Sequence, residues 1–175
     1  MKRIFLILTL SSITLKASAQ TDSLMVYIFL SETCPICKST TPELQSLYRD
    51  YSSKGIAFTG VFPNKSVSSI ETREAFASKY KLKFPLIGDP EHALTNRLNA
   101  QITPEVFVVR VKNNELIYRG LIDNSYIRVG KRRSITTAFY LRNALEQYLL
   151  GQISNIKSTE AVGCFIQKQT NSICK

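Results

Sequence analysis

Two thiols three residues apart are the part of this chain best equipped for chemistry: Cys34 and Cys37, in Ser31-Glu32-Thr33-Cys34-Pro35-Ile36-Cys37-Lys38. They stand where an apolar run, Leu24 to Leu30, gives way to residues at helical spacing, which puts them on the first turn of a helix. Unpaired N–H groups and a partial positive charge at that helix end favour a thiolate over a neutral thiol. Such a pair can close into a disulfide and reopen, which is redox chemistry of the sulfur–sulfur bond. A metal site built on the pair would need two further Cys or His ligands, usually closely spaced. His92, Cys164 and Cys174 lack that spacing, so no metal and no cofactor is expected. A purely structural disulfide is the plainer alternative.

The elements that must hold the pair follow from periodicity. Leu24 to Leu30 is short and continuously apolar, as in a central strand buried on both faces. Leu44, Leu47, Tyr48 and Tyr51 predict an amphipathic helix over about 35–52, kinked at Pro42. Gly55 to Phe62 reads as a strand, Ser68 to Tyr80 as a helix with Ile70, Phe76 and Tyr80 inward, and Phe84 to Ile87 as a short strand. Gly88-Asp89-Pro90 opens a helix through about Asn99. Glu105 to Lys112 and Glu115 to Arg119 form a hairpin about Asn113-Asn114. Residues 120–135 read as irregular, and Thr136 to Leu150 as a final helix stopped by Gly151. Strand–helix alternation followed by a hairpin and a helix predicts an α/β fold, a central mixed β-sheet flanked by helices. The two cysteines then lie at the carboxyl edge of a central strand, where such sheets place their sites.

The N-terminus bears on compartment. Lys2 and Arg3 precede an apolar stretch from Ile4 to Leu10, and Ala17-Ser18-Ala19 offers small residues for cleavage. That is the layout of a secretory signal peptide, and the apolar core is shorter than the roughly 20 residues of a spanning helix. The expected organisation is a signal peptide over 1–19, a domain over 20–151, and a tail over 152–175 carrying Cys164 and Cys174. The protein is therefore expected in the periplasm or secreted, cut near Ala19. Removing Lys2, Arg3 and Lys16, and no acid, lowers the formal charge from +10 to +7. The late basic residues, Arg110, Lys112, Arg119, Arg128, Lys131, Arg132 and Arg133, lack interleaved aromatics or a binding motif, so a solvated basic face is expected rather than a nucleic-acid site.

Four motifs together carry a family resemblance over roughly residues 24–150. They are Thr33-Cys34-Pro35-Ile36-Cys37-Lys38 at a strand–helix junction, Pro42 in the helix that follows, Ile102-Thr103-Pro104-Glu105 leading into the hairpin with Gly120 beyond it, and Gly88-Asp89-Pro90-Glu91-His92. The chain resembles the thioredoxin superfamily, and within it the exported redoxins related to TlpA-type thiol–disulfide proteins and to peroxiredoxins. The resemblance implies a thioredoxin-like fold and a thiol–disulfide oxidoreductase in which Cys34 is the nucleophile, exposed at the helix start, and Cys37 the more buried resolving thiol. It implies a cis Pro104 packed on the thiols and a Thr103 whose backbone receives a substrate strand and whose hydroxyl tunes the thiolate. Implied partners are disulfide-bonded proteins and a membrane electron donor. Because Pro35-Ile36 has no titratable group, the reductase direction is favoured over oxidation.

One departure stands out. Thioredoxins bury an acid in the strand before the thiols, where this chain has Ile28, leaving Glu32 as the nearest acid. Two other activities compete with disulfide exchange. A thiol peroxidase would use Ser31, three residues before Cys34, but lacks the upstream proline of peroxiredoxins. A metal- or haem-protein assembly factor would use the dithiol with a nearby His, and His92 is the only one. For Cys164 and Cys174 two readings are open: a structural disulfide pinning the tail, or a Cys164 that folds back to relay electrons. The segment Thr159 to Ile166 is similar to the closing segment of a peroxiredoxin-like redoxin subgroup.

Overall fold

The computed structural model describes residues 22–64 and 68–167. The expected signal peptide over 1–19 and Cys174 lie outside the described residues. Strand β1 (Leu24–Phe29) leads into helix α1 (Pro35–Tyr51), then β2 (Ile56–Phe62), α2 (Ile70–Lys79), β3 (Leu86–Gly88) and α3 (Ala93–Leu98). The short β4 (Ile102–Thr103) is followed by β5 (Glu105–Arg110), β6 (Glu115–Gly120), β7 (Tyr126–Arg128), β8 (Lys131–Arg132), α4 (Tyr140–Leu149) and β9 (Cys164–Phe165). Five strands form the central sheet in the order β3-β2-β1-β5-β6. The first three are parallel, while β5 is antiparallel to β1 and β6 to β5. The mixed α/β sheet is as expected. Among the described residues no helix is long and apolar enough to cross a membrane.

Strand β1 is central because both of its faces are apolar. Leu24, Val26 and Ile28 share one cluster with Leu44, Leu47 and Tyr51 of α1 and Leu141, Ala144 and Leu145 of α4. Phe29 turns to the other face with Val61, Phe107 and Val109, where Leu94 and Leu98 of α3 pack against them. This alternation is the period of two that a strand imposes.

Helix α1 continues through Pro42. The proline removes the N–H that would bond the Lys38 carbonyl, and the Thr41 hydroxyl donates to that carbonyl instead, at 2.8 Å. Other boundaries differ from the sequence reading for local reasons. Ile70 is exposed rather than inward, since α2 starts on it behind the Ser69 cap, whose hydroxyl accepts from Thr72 N–H. Asn124 Oδ1 accepts from the N–H groups of Thr137 and Ala138, at 3.0 and 3.1 Å, which holds 136–139 out of α4. Asp89 accepts from the N–H groups of Leu94 and Thr95, so the Asp-Pro turn caps a helix that begins at Ala93. Within 120–135, expected to be irregular, β7 and β8 pair around Gly130 (φ +79°).

The largest departure concerns the tail. The segment after Gly151, expected as a tail, is in its described part stitched across the body. Thr159 N–H donates to the Arg119 carbonyl (2.9 Å), and Leu121 N–H donates to the Thr159 hydroxyl (2.8 Å). Strand β9 pairs antiparallel with β4, Ile102 opposite Phe165 and Thr103 opposite Cys164. Ile166 N–H donates to the Gln101 carbonyl (2.8 Å), and its side chain joins the Phe29–Phe107 cluster. Two glycines make room. At Gly163 a Cβ would collide with the Thr103 carbonyl, and at Gly120 (φ +134°) with Thr159.

Candidate active site

Cys34 occupies the N-cap of α1 and Pro35 the first turn, where a missing N–H costs nothing. Lys38 N–H donates to the Cys34 carbonyl at 3.2 Å, the first bond of the helix. Cys37 lies one turn in and is completely buried. The Thr103–Pro104 peptide bond is cis. It presents the Thr103 carbonyl to Cys34, 3.3 Å from Sγ, where the neutral thiol donates to it. Residues from α1, β4 and the segment Val162–Phe165 thus converge on one sulfur.

That convergence corrects two expectations. Cys34 is not exposed: only 2% of its surface reaches solvent, because Gly163 to Phe165 lies over it. The backbone edge of Thr103, read as the place for a substrate strand, is occupied by β9, and the Thr103 hydroxyl donates to the Cys164 carbonyl (3.4 Å). Cys164 is a free thiol whose Sγ sits 3.1 Å from Cys34 Sγ. Cys34 and Cys37 are free as well.

The electrostatics sort the three thiols. The Cys34 thiol is pulled down to about 5, chiefly by the Cys37 thiol donating to it, against a desolvation cost, with help from N–H groups of the helix end and from Cys164. Cys37 is pushed well above its ordinary range, first by burial and then by the charge beside it. Cys164 is pushed up to about 11 by burial and by the same neighbour. One thiolate is therefore flanked by two protonated thiols. Titrating the reduced protein and reading thiolate absorbance in the ultraviolet is expected to give a single midpoint near 5 with no further rise until above pH 8. Because the folded state lowers this pKa from 9.0, the thiolate stabilises the reduced fold above the unfolded value, and that contribution is lost as pH falls through about 5. A midpoint near 9 would contradict this arrangement of donors.

Of the other residues considered, Ile28 is fully buried, and Glu32 accepts from the Thr72 hydroxyl at 3.5 Å. His92 Nε2 is bound to the Pro63 carbonyl at 3.0 Å. Among the described residues no group of three or more His, Cys, Asp or Glu is arranged to hold a metal ion. The basic residues divide: Arg110 pairs with Glu115, and Arg119 with the buried Glu105, both at 2.7 Å, while Arg128, Lys131 and Arg132 are exposed on the β7–β8 hairpin. Beside the site, a groove of about 550 Å³ is lined by Ile102, Glu105, Arg119, Ile127, Val162 and Phe165 among others. Sequence reasoning missed the Glu105–Arg119 pair, and gave the return of Cys164 to the dithiol only as one of two readings of the tail. The available signal was the short apolar run Ala161-Val162-Gly163-Cys164-Phe165-Ile166 within an otherwise largely polar tail.

A dithiol on the first turn of the helix after a central strand, facing a cis-proline turn, defines a redoxin of the thioredoxin superfamily. The chain belongs to the AhpC/TSA family, whose model matches residues 8–119, and with this dithiol it is a thiol–disulfide oxidoreductase. It has no match among curated proteins. It is similar to an uncharacterized conserved protein from Geobacillus kaustophilus, at 25% identity over 86% of this chain and 80% of the other, with a TM-score of 0.76. A hypothetical protein from Sinorhizobium meliloti 1021 is similar at 23% identity, over 86% and 82%, with a TM-score of 0.72. DsbE from Chlorobium tepidum, a proposed thiol:disulfide interchange protein, shares the fold at 16% identity, over 76% and 82%, with a TM-score of 0.53.

Proposed function

We propose that the protein exchanges disulfides with other proteins outside the cytoplasm, with Cys34 as nucleophile and Cys37 as resolving thiol. The observation that carries this reading is the placing of Cys34 at the N-cap of α1, one turn from the buried Cys37 and beside the Thr103–Pro104 turn, where the Cys37 thiol and the helix end draw its thiol down to about 5. The thiolate attacks one sulfur of a substrate disulfide, and the other sulfur leaves as a thiolate that takes up a proton from water. Cys37 then attacks Cys34 Sγ, releasing the substrate's second thiol and closing Cys34–Cys37. Protein substrates fit because β4 accepts an extended strand, as its pairing with β9 illustrates, and the name of the Chlorobium protein points the same way.

Export rests on the basic, apolar and small-residue layout of 1–19, although the family match, beginning at residue 8, overlaps that segment. An N-terminus at Gln20 in protein recovered from the cell envelope would establish it. Residues 20–151 would then be the catalytic domain and 152–175 its appended segment. For direction, a Cys34 midpoint near 5 lies between those of a reducing thioredoxin, about 7, and the oxidant DsbA, about 3.5. The reduced form is stabilised accordingly, and the potential is expected between about −270 and −120 mV. Run as a reductase, the dithiol would be returned to its reduced form by a membrane electron donor. Equilibration with glutathione buffers measures this; a value at the DsbA end would rule out the reductase direction.

A further inference from the structure

Cys164 stands 130 residues beyond Cys34, yet the two sulfurs are 3.1 Å apart, about one ångström more than a disulfide bond. The approach is built. Strand β9 is registered on β4 so that Cys164 faces Thr103, Ile166 is anchored in the Phe29–Phe107 cluster, and Gly163 and Gly120 clear the path. An extended strand antiparallel to the proline turn, with its cysteine on Cys34, is the geometry a protein substrate has to reach in its mixed disulfide.

We propose that Cys164 is a third redox thiol of this site: returning on β9 to the Thr103 edge, it attacks Cys34 of a mixed disulfide, displaces the substrate and forms a Cys34–Cys164 bond in competition with Cys37. This rests on the exchange reading. Cys164 gives up its proton and bonds to Cys34 Sγ, the bond from Cys34 to the substrate breaks, and the substrate sulfur leaves as a thiolate that takes up a proton. The substrate disulfide ends as two thiols, while Cys34 and Cys164 end oxidised. Cys37 then attacks Cys34 and frees Cys164 as a thiol, with no net electron change.

Electrostatics and access favour the step. Capping Cys34 removes its charge, which is one of the groups holding both Cys164 and Cys37 protonated. Cys164 is only partly buried whereas Cys37 is wholly so, and its thiolate therefore costs less to form. Since β9 and a substrate strand need the same edge, the return of the segment couples resolution to product release.

The test uses the full chain with Cys37→Ser, reduced and then exposed to oxidised glutathione, with adducts followed by mass spectrometry. The glutathione adduct on Cys34 should decay into a species whose peptides join Cys34 to Cys164. In Cys37→Ser/Cys164→Ser it should last at least about tenfold longer, since both described thiols beside Cys34 have been removed. Cys37→Ser/Cys174→Ser should behave as Cys37→Ser does. Equal lifetimes with and without Cys164, or decay that depends on Cys174 instead, would overturn the assignment. If no variant forms the adduct, the exchange reading fails. Diamide oxidation of Cys37→Ser then decides for Cys164 alone, by the presence or absence of the Cys34–Cys164 peptide. Should Cys164→Ser not fold, Gly163→Ala displaces β9 while keeping the thiol, and an adduct no longer-lived than in Cys37→Ser overturns the proposal.

Discussion

Cys34→Ser is expected to abolish disulfide exchange, with insulin reduction by dithiothreitol falling to the uncatalysed rate. A serine hydroxyl at this place is neutral at any working pH, whereas Cys34 at pH 7 lies two units above its midpoint, with about one molecule in a hundred protonated. Removing an enzyme's nucleophile typically costs a thousandfold or more, and among the described residues no other thiolate is at hand: Cys37 and Cys164 are both held protonated, mainly by burial. The pH dependence should track the same group. Activity of the wild type should be level from about pH 6 to 8 and fall below about 5 as Cys34 takes up its proton. Retention of more than a few per cent of activity by Cys34→Ser would place the nucleophile elsewhere. Steady consumption of peroxide with a thiol donor, at rates above those of exchange, would favour the peroxidase reading.

Phe107→Ala is expected to lower stability by about 3–5 kcal/mol, the range for truncating a fully buried aromatic side chain. The ring lies on β5, meets Phe29 of β1 edge-to-face with centroids 5.4 Å apart, and carries the Arg119 guanidinium 5.2 Å from its centre. Its cluster also receives Ile166, so the cavity would loosen the seat of β9 as well as the sheet. Urea denaturation should show a lower midpoint. Alkylation of Cys34 by iodoacetamide at neutral pH should become faster than in the wild type, because the covering segment has lost part of its anchor. A stability loss below about 1 kcal/mol would mean that this face of the sheet is not close-packed. Loss of stability without faster alkylation would mean that the hydrogen bonds of Thr159 and Ile166 hold the segment unaided.

The parts of the site legible in the chain were those written in local pattern. An apolar strand, a helical repeat and two cysteines three apart placed Cys34 and Cys37 at a helix start. Ile102-Thr103-Pro104 before a hairpin placed the proline turn, although its packing against the thiols came from resemblance. Where local signals competed, side chains decided. Asn124 held back the start of α4, and the Ser69 cap left Ile70 on the exposed first turn of α2.

The amino-acid order by itself determined the redox pair, the mixed sheet and the edge on which the pair stands, because spacing and period act within a few residues of one another. Tertiary structure alone decided that Cys164 touches Cys34 and that solvent is excluded from it. Those outcomes depend on β9 meeting β4 some sixty residues away, on two glycines whose missing side chains leave room for the crossing, and on an isoleucine finding a pocket on the opposite face. No short-range pattern encodes such a meeting; it exists only once the sheet has formed the edge that the segment joins.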